Sequence, residues 1–170
     1  QQHYLANHDS LTGLLNRAAF QGRLAQSLLQ ARRSAGAVAL LFIDLDSFKS
    51  VNDAEGHRAG DEVLRIVAQR IASTVRVGDT LARLGGDEFL VMLDQEVTRD
   101  VTDTIGHRII EALHLPMAVD GRDLSIGASI GVAMYPPMEG DIDALMNRAD
   151  QAMYAAKRAG KGRLHYAQAA

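Results

Sequence analysis

Arg83-Leu84-Gly85-Gly86-Asp87-Glu88-Phe89 sets two carboxylates on a glycine pair between two apolar runs. The composition of residues 81–84 and 89–93 predicts strands, and Gly-Gly between such runs predicts a hairpin. The acids therefore fall at a tight bend. A carboxylate is costly to bury without a partner. Hard oxygen ligands held rigidly at a strand tip suit a magnesium ion bound to a nucleotide, so the bend points to phosphate chemistry. Taken alone, Gly-Gly-Asp-Glu also fits an ordinary solvated hairpin with an acidic turn, and the rest of the chain decides between the two.

With 170 residues, 47% of them apolar, the chain can build one well-buried core and is too short for two comfortable domains. Its formal charge is -3, with both signs interspersed. No polybasic track marks a nucleic-acid partner or an anionic membrane, so phosphate binding has to be local and assisted by a metal. The absence of cysteine excludes disulfides, thiolate nucleophiles and cysteine zinc sites, and fits a reducing compartment. The six histidines are scattered without metal-helix spacing. No apolar run approaches the ~20 residues needed to span a bilayer, and no signal-peptide pattern opens the chain. A cytoplasmic location follows as an expectation, either free or as the cytoplasmic part of a membrane-anchored protein. The chain starts Gln1-Gln2 without methionine. Residues 1–8 are therefore expected to end a linker helix from an upstream region, and 9–170 to form the domain.

Apolar spacing predicts helices over residues 16–34, 58–75, 98–113 and 142–159, the last stopped by Gly160 and Gly162. Val38-Ala39-Leu40-Leu41-Phe42-Ile43 is a continuous apolar run, the mark of a central strand buried on both faces, and it ends in acid. Residues 124–134 are strand-like, and a short strand near 164–166 is expected to finish the sheet. The order β-α-β-β-α-β predicts an α+β fold with a ferredoxin-like core, a mostly antiparallel central sheet flanked by helices. In that topology the first strand neighbours the hairpin, so Asp44 and either Asp87 or Glu88 could share one cation. Asp46, two residues beyond Asp44, shares its face and is read as structural rather than as a second ligand.

Asp9-Ser10-Leu11-Thr12-Gly13-Leu14-Leu15-Asn16-Arg17, Phe42-Ile43-Asp44-Leu45-Asp46-Ser47-Phe48-Lys49, Asn52-Asp53 with Gly56-His57 and Gly60-Asp61, and Gly85-Gly86-Asp87-Glu88-Phe89 closely resemble the GGDEF family of diguanylate cyclases. The likeness continues through Ser129-Ile130-Gly131-Val132-Ala133, Ala149-Asp150, Ala152-Met153-Tyr154 and Ala156-Lys157. Ordered motifs over nearly the whole chain are far more specific than the pentapeptide alone. The resemblance implies a palm-like nucleotide-cyclase fold and the condensation of two GTP into cyclic di-GMP, with release of two pyrophosphates. It implies two magnesium or manganese ions per half-site, held by Asp44, Asp87 and the backbone carbonyl of Ile43, with Glu88 serving a second ion or the attacking hydroxyl. Asp87 is where a general base would act, and water is the alternative.

By the same resemblance Asn52 and Asp61 read guanine: a carboxylate accepts from its N1 and N2 donors, and an amide complements its remaining edge. Asp61 in this position implies GTP in both half-sites. The bland readings are a turn former for Asn52 and a helix cap for Asp61. Lys49, Lys157 and Lys161 match phosphate contacts, with Phe48, Gly85 and Gly86 completing the substrate site; any one lysine alone would read as a surface residue. Arg76-Val77-Gly78-Asp79 has the R-x-x-D spacing of the family's inhibitory product site, with Arg108 as a further candidate. Its bland reading is an arginine at a helix end followed by a turn acid. One departure is Glu55, where many relatives carry an aromatic or aliphatic residue; a charge there is expected to loosen packing beside the guanine pocket. His57 is read as structural, and Met92, Met146 and Met153 as core.

One GTP per domain cannot close a two-fold ring, so a homodimer and an upstream sensory or regulatory element that pairs the domains are expected. Two other classes share the fold: a catalytically silent GTP-binding regulator and a cyclic di-GMP receptor. The intact Asp44, Asp87 and Glu88 count against the receptor.

Overall fold

The structure is a computed structural model that describes residues 6–168. The expected linker segment falls mostly outside those residues. In chain order the elements are α1 (Arg17–Ser34), β1 (Val38–Asp46), α2 (Phe48–Glu55), α3 (His57–Thr74), β2 (Thr80–Gly85), β3 (Glu88–Leu93), α4 (Arg99–His114), β4 (Met117–Val119), β5 (Arg122–Leu124), β6 (Gly127–Tyr135), α5 (Ile142–Arg158) and β7 (Leu164–Tyr166).

Local chemistry sets the helix starts. The side chains of Asn16, Thr98 and Asp141 accept the backbone N–H groups of Ala19, Val101 and Ala144, giving α1, α4 and α5 their N-caps. The large sheet runs β2-β3-β1-β6-β7, with β1 at its centre and antiparallel to both neighbours, while β7 joins β6 in parallel. This is the expected ferredoxin-like order. Successive residues of β1 face opposite layers. Ala39, Leu41, Ile43 and Leu45 pack with α3 and α4; Val38, Leu40 and Phe42 pack with α1 and α5. The continuous apolar run thus reflects burial on both faces.

Two elements escape the apolar pattern. In α2, Phe-Lys-Ser-Val-Asn-Asp-Ala-Glu buries only Phe48, so no stripe of apolar residues announces a helix. Residues 124–134, expected as one strand, are divided. Arg122–Leu124 pairs back onto Met117–Val119 in a separate two-stranded sheet, Ile126 is buried in the α3/α4 layer, and the large sheet resumes at Gly127. Among the described residues no helix is long and apolar enough to cross a membrane.

Candidate active site

The register of β1 against β3 places Asp44 opposite Glu88, and β2 reaches the same bend with a bulge between Arg83 and Gly85. Gly85 and Gly86 have φ of 141° and 50°, values that side chains with a Cβ rarely adopt, so the turn requires its glycines. Asp44, Asp46 and Glu88 lie on the α1/α5 face of the sheet. The Ile43 side chain is buried in the opposite layer, which leaves only its backbone to face a ligand.

The Asp87 carboxyl lies within hydrogen-bonding reach of Asp44. Burial, then the Asp87 charge, push the Asp44 carboxyl up to about 7, against the opposing pull of Lys157. Lys157 Nζ donates to Asp44 Oδ1 at 3.1 Å and to the Leu45 carbonyl at 3.2 Å. Two carboxyls crowded together in a half-buried place, each an oxygen donor, form a pair whose repulsion a divalent cation relieves, so the donor set fits magnesium or manganese. Glu88 stands differently. Burial, then Asp150 and Asp87, raise its pKa, while Arg17 and Lys157 pull it down. It lines a cleft of about 240 Å³ with Arg17, Phe42, Asp143 and Asp150. Among the described residues no group of three or more acids or histidines is gathered as one metal site. Of the two acids expected beside Asp44, Asp87 acts on its carboxyl directly and Glu88 stands opposite it in the β1–β3 ladder.

The guanine candidates meet at the junction of α2 and α3. Asn52 is helical rather than in a turn, and its amide lies against the Cα of Gly60: a Cβ added there would sit 1.8 Å from Asn52 Oδ1. Asp61 is the next residue, exposed and one turn inside α3, whose N-cap is Gly56. Neither bland reading describes these residues. Phe48 is buried beneath them, 3.3 Å from the same added Cβ. Since α3 tolerates alanine in its backbone, Gly60→Ala is expected to displace the Asn52 amide and weaken guanine-nucleotide binding by about tenfold while leaving the fold intact. Nucleotide titration beside a thermal melt checks this. Glu55 is paired with Arg122, both oxygens at 3.2 Å from Nη1, so its charge is partnered rather than left to loosen the pocket. Of the lysines, Lys49 is exposed on α2, Lys157 is turned onto carboxylates, and Lys161 is exposed at φ 64° in the loop after α5. His57, read as structural, is exposed at the first position of α3.

Arg76 and Asp79 are bound to each other. Asp79 Oδ2 accepts from the Arg76 backbone N–H at 2.8 Å and from Nε at 3.2 Å, Oδ1 accepts from Nη2 at 3.2 Å, and Nη2 also reaches the Gln95 carbonyl. The acid side chain is 3% exposed. The carboxylate expected to meet a guanine edge is thus satisfied by its own arginine. Arg108 is exposed on α4, and among the described residues no hydrogen bond or ion pair joins it to this pair.

Residues 6–163 match the family described as diguanylate cyclase, GGDEF domain. The chain belongs to the GGDEF family. The diguanylate cyclase TpbB of Pseudomonas aeruginosa PAO1 is 45% identical over 158 residues, 92% of this chain and 36% of that protein. The bifunctional diguanylate cyclase/cyclic di-GMP phosphodiesterase MucR of the same organism is 44% identical over 157 residues, 92% of this chain and 23% of that one. The chain spans about a third or less of the length of these curated relatives. Among solved structures, the TpbB GGDEF domain superimposes with a TM-score of 0.92 at 44% identity, covering 95% of this chain and 94% of that one. The coiled coil and GGDEF domain of DgcB from Caulobacter crescentus, solved in complex with c-di-GMP, gives 0.90 at 32% identity, covering 98% and 88%.

This GGDEF domain also uses residues to which the sequence assigned no role. Arg83 Nη1 donates to Asp9 Oδ1 at 2.9 Å, and its Nε and Nη2 donate to the Gly86 carbonyl at 3.1 and 2.8 Å. Asp9 in turn accepts the backbone N–H and hydroxyl of Thr12 at 2.9 and 2.7 Å. Both residues stand inside the recognised motifs, but their pairing joins positions 74 apart and has no local signature. Arg17 and Asp150, which surround Glu88, were visible only as motif letters.

Proposed function

We propose that this GGDEF domain condenses two GTP molecules into cyclic di-GMP and two pyrophosphates, each domain of a homodimer presenting one nucleotide. The observation that carries the reading is the convergence of the Asp44 and Asp87 carboxyls at the Gly85-Gly86 turn. Asp44, Asp87 and the Ile43 carbonyl would hold the divalent ions, two per half-site, with Glu88 at the margin. When bound, the ions neutralise phosphate charge and favour the ionised 3′-hydroxyl at the attacking end. The residues of the chain supply the remainder. Asn52 and Asp61 orient the guanine. Lys49, Lys157 and Lys161 meet the triphosphate with mobile positive charge. The glycine turn, with no side chain before Asp87, lets the phosphates approach the backbone. Asp87, or water beside it, takes the hydroxyl proton. Phosphorus gains the new ester oxygen as the bond to pyrophosphate breaks. Cyclic di-GMP returning to Arg76 and Asp79 would inhibit, with Arg108 approaching from a neighbouring surface and the Arg76–Asp79 pair opening to admit it.

The experiment is incubation with GTP and magnesium at high protein concentration, followed by chromatography. Cyclic di-GMP supports the cyclase; GTP binding without product supports a silent regulator; product binding alone supports a receptor. The isolated domain is expected to be largely monomeric and slow, with an upstream element in the full-length protein supplying the pairing, so the rate per domain should rise with concentration.

Asp44 adds a pH dependence. Its folded pKa is raised from 3.8 to about 7, so in metal-free protein its protonated form favours folding, and that contribution is lost as pH rises from about 4 to about 7. A divalent ion needs the ionised carboxylate, so magnesium affinity is expected to fall from pH 8 to pH 6, with proton release on binding near neutrality. Calorimetry in buffers of different ionisation enthalpy reads that proton directly. Metal affinity independent of pH across this range would remove Asp44 from the ligand set.

A further inference from the structure

We propose that Asp46 is the positioning residue for the triphosphate end of the site, holding Lys157 and the loop that carries Lys161 in place when Asp44 turns to a cation. The inference rests on the reading that these lysines face GTP phosphates. Asp46 ends β1 and is 8% exposed. Its Oδ1 accepts the Ser129 hydroxyl at 2.7 Å, its Oδ2 accepts the Gly162 backbone N–H at 3.0 Å, and Lys157 Nζ lies 3.6 Å from Oδ1. Gly160, Lys161 and Gly162 have φ of 124°, 64° and 62°, a left-handed run that costs Lys161 local strain and needs an external anchor. The hydrogen bond from Gly162 to Asp46 is that anchor. Gly127 leaves the carboxylate its room: a Cβ added there would stand 2.9 Å from Oδ2.

The two acids divide the work. Asp44 exchanges its lysine for a cation, whereas Asp46, engaged by a hydroxyl and an amide, keeps its carboxylate beside Lys157. With that charge gone, the ammonium is left with Asp44, the carboxylate that the cation requires. Asp46→Asn tests this cleanly. The asparagine oxygen can face Gly162 N–H while its amide donates to the Ser129 oxygen, so both hydrogen bonds survive and only the charge is lost.

The experiment compares binding of 3′-deoxy-GTP, which lacks the attacking hydroxyl, with binding of GMP, both with magnesium, by calorimetry. Wild type should prefer the triphosphate. In Asp46→Asn that preference should fall about tenfold with GMP affinity unchanged. Gly127→Ala pushes the carboxylate aside without removing it and should lower the preference about threefold. An Asp46→Asn protein that keeps the wild-type ratio, or loses GMP affinity in equal measure, overturns the assignment. So does a Gly127→Ala protein of unchanged ratio, which decides the matter should Asp46→Asn not fold. A wild type without any triphosphate preference overturns the GTP reading and this assignment with it, whereas a preference retained by the variants overturns this assignment alone.

Discussion

If the proposed cyclase reading holds, Asp87→Ala is expected to lower cyclic di-GMP synthesis by about three powers of ten, because it removes one of the two carboxylates proposed to hold the cations, and a metal-held charge is worth several kcal/mol to such a transition state. The same substitution should leave product binding at Arg76 and Asp79 intact. Those residues precede β2, whereas Asp87 follows it, so the strand separates the two places along its length. Removing Asp87 also relieves Asp44 of a neighbouring charge, which should bring the Asp44 pKa down toward its ordinary value. Turnover of GTP by chromatography, cyclic di-GMP titration and the pH dependence of stability read the three effects separately. Loss of synthesis and product binding together would mean that one site serves both purposes.

The largest stability effect is expected at Gly131. This residue lies in β6 against α5, and a Cβ there would come within 2.0 Å of the Ala149 carbonyl oxygen and 2.2 Å of the Met153 nitrogen. These are backbone atoms of a helix and cannot swing aside as a side chain would. Gly131→Ala therefore has to push α5 off the sheet, at a cost of about 3 kcal/mol or more. The small residues Ala149, Ala152 and Ala156 line the buried side of the helix and permit the close approach. Since Lys157 follows directly, the shift should also withdraw its ammonium from Asp44. Gly22→Ala is the control: nothing lies within 4 Å of the added methyl at this exposed position of α1, so it should be neutral or stabilise by up to about 1 kcal/mol. Urea unfolding of the two variants checks both; equal midpoints would refute the argument from close packing.

Most of the fold was legible because its elements carry strong periodic signals. β1 reads as a two-faced strand, and α1, α3, α4 and α5 show apolar stripes that match their buried residues. What escaped was weakly patterned. α2 buries one side chain, and β4 and β5 are three residues each, too short for alternation to register. The candidate site divides in the same way. Asp44, Asp87 and the glycine turn follow from strand order, since neighbouring strands must bring their ends together. The engagement of Lys157 with Asp44 and Asp46, the enclosure of Asp79 by Arg76, and the setting of Glu88 beside Arg17 and Asp150 depend on side-chain direction across elements far apart in sequence. Motif spacing carries no information about such choices; only packing decides them.

Arg83 holds Asp9 with one nitrogen and the Gly86 carbonyl with two others, while Leu15 bridges to Ala82 on the same strand. The segment preceding α1 and the acidic bend are therefore bolted to a single side chain. A twist applied before residue 16 loads both the Arg83–Asp9 ion pair and the Leu15 bridge to β2, so mechanical strain there arrives one covalent link from Asp87, in the pair proposed to hold the cations.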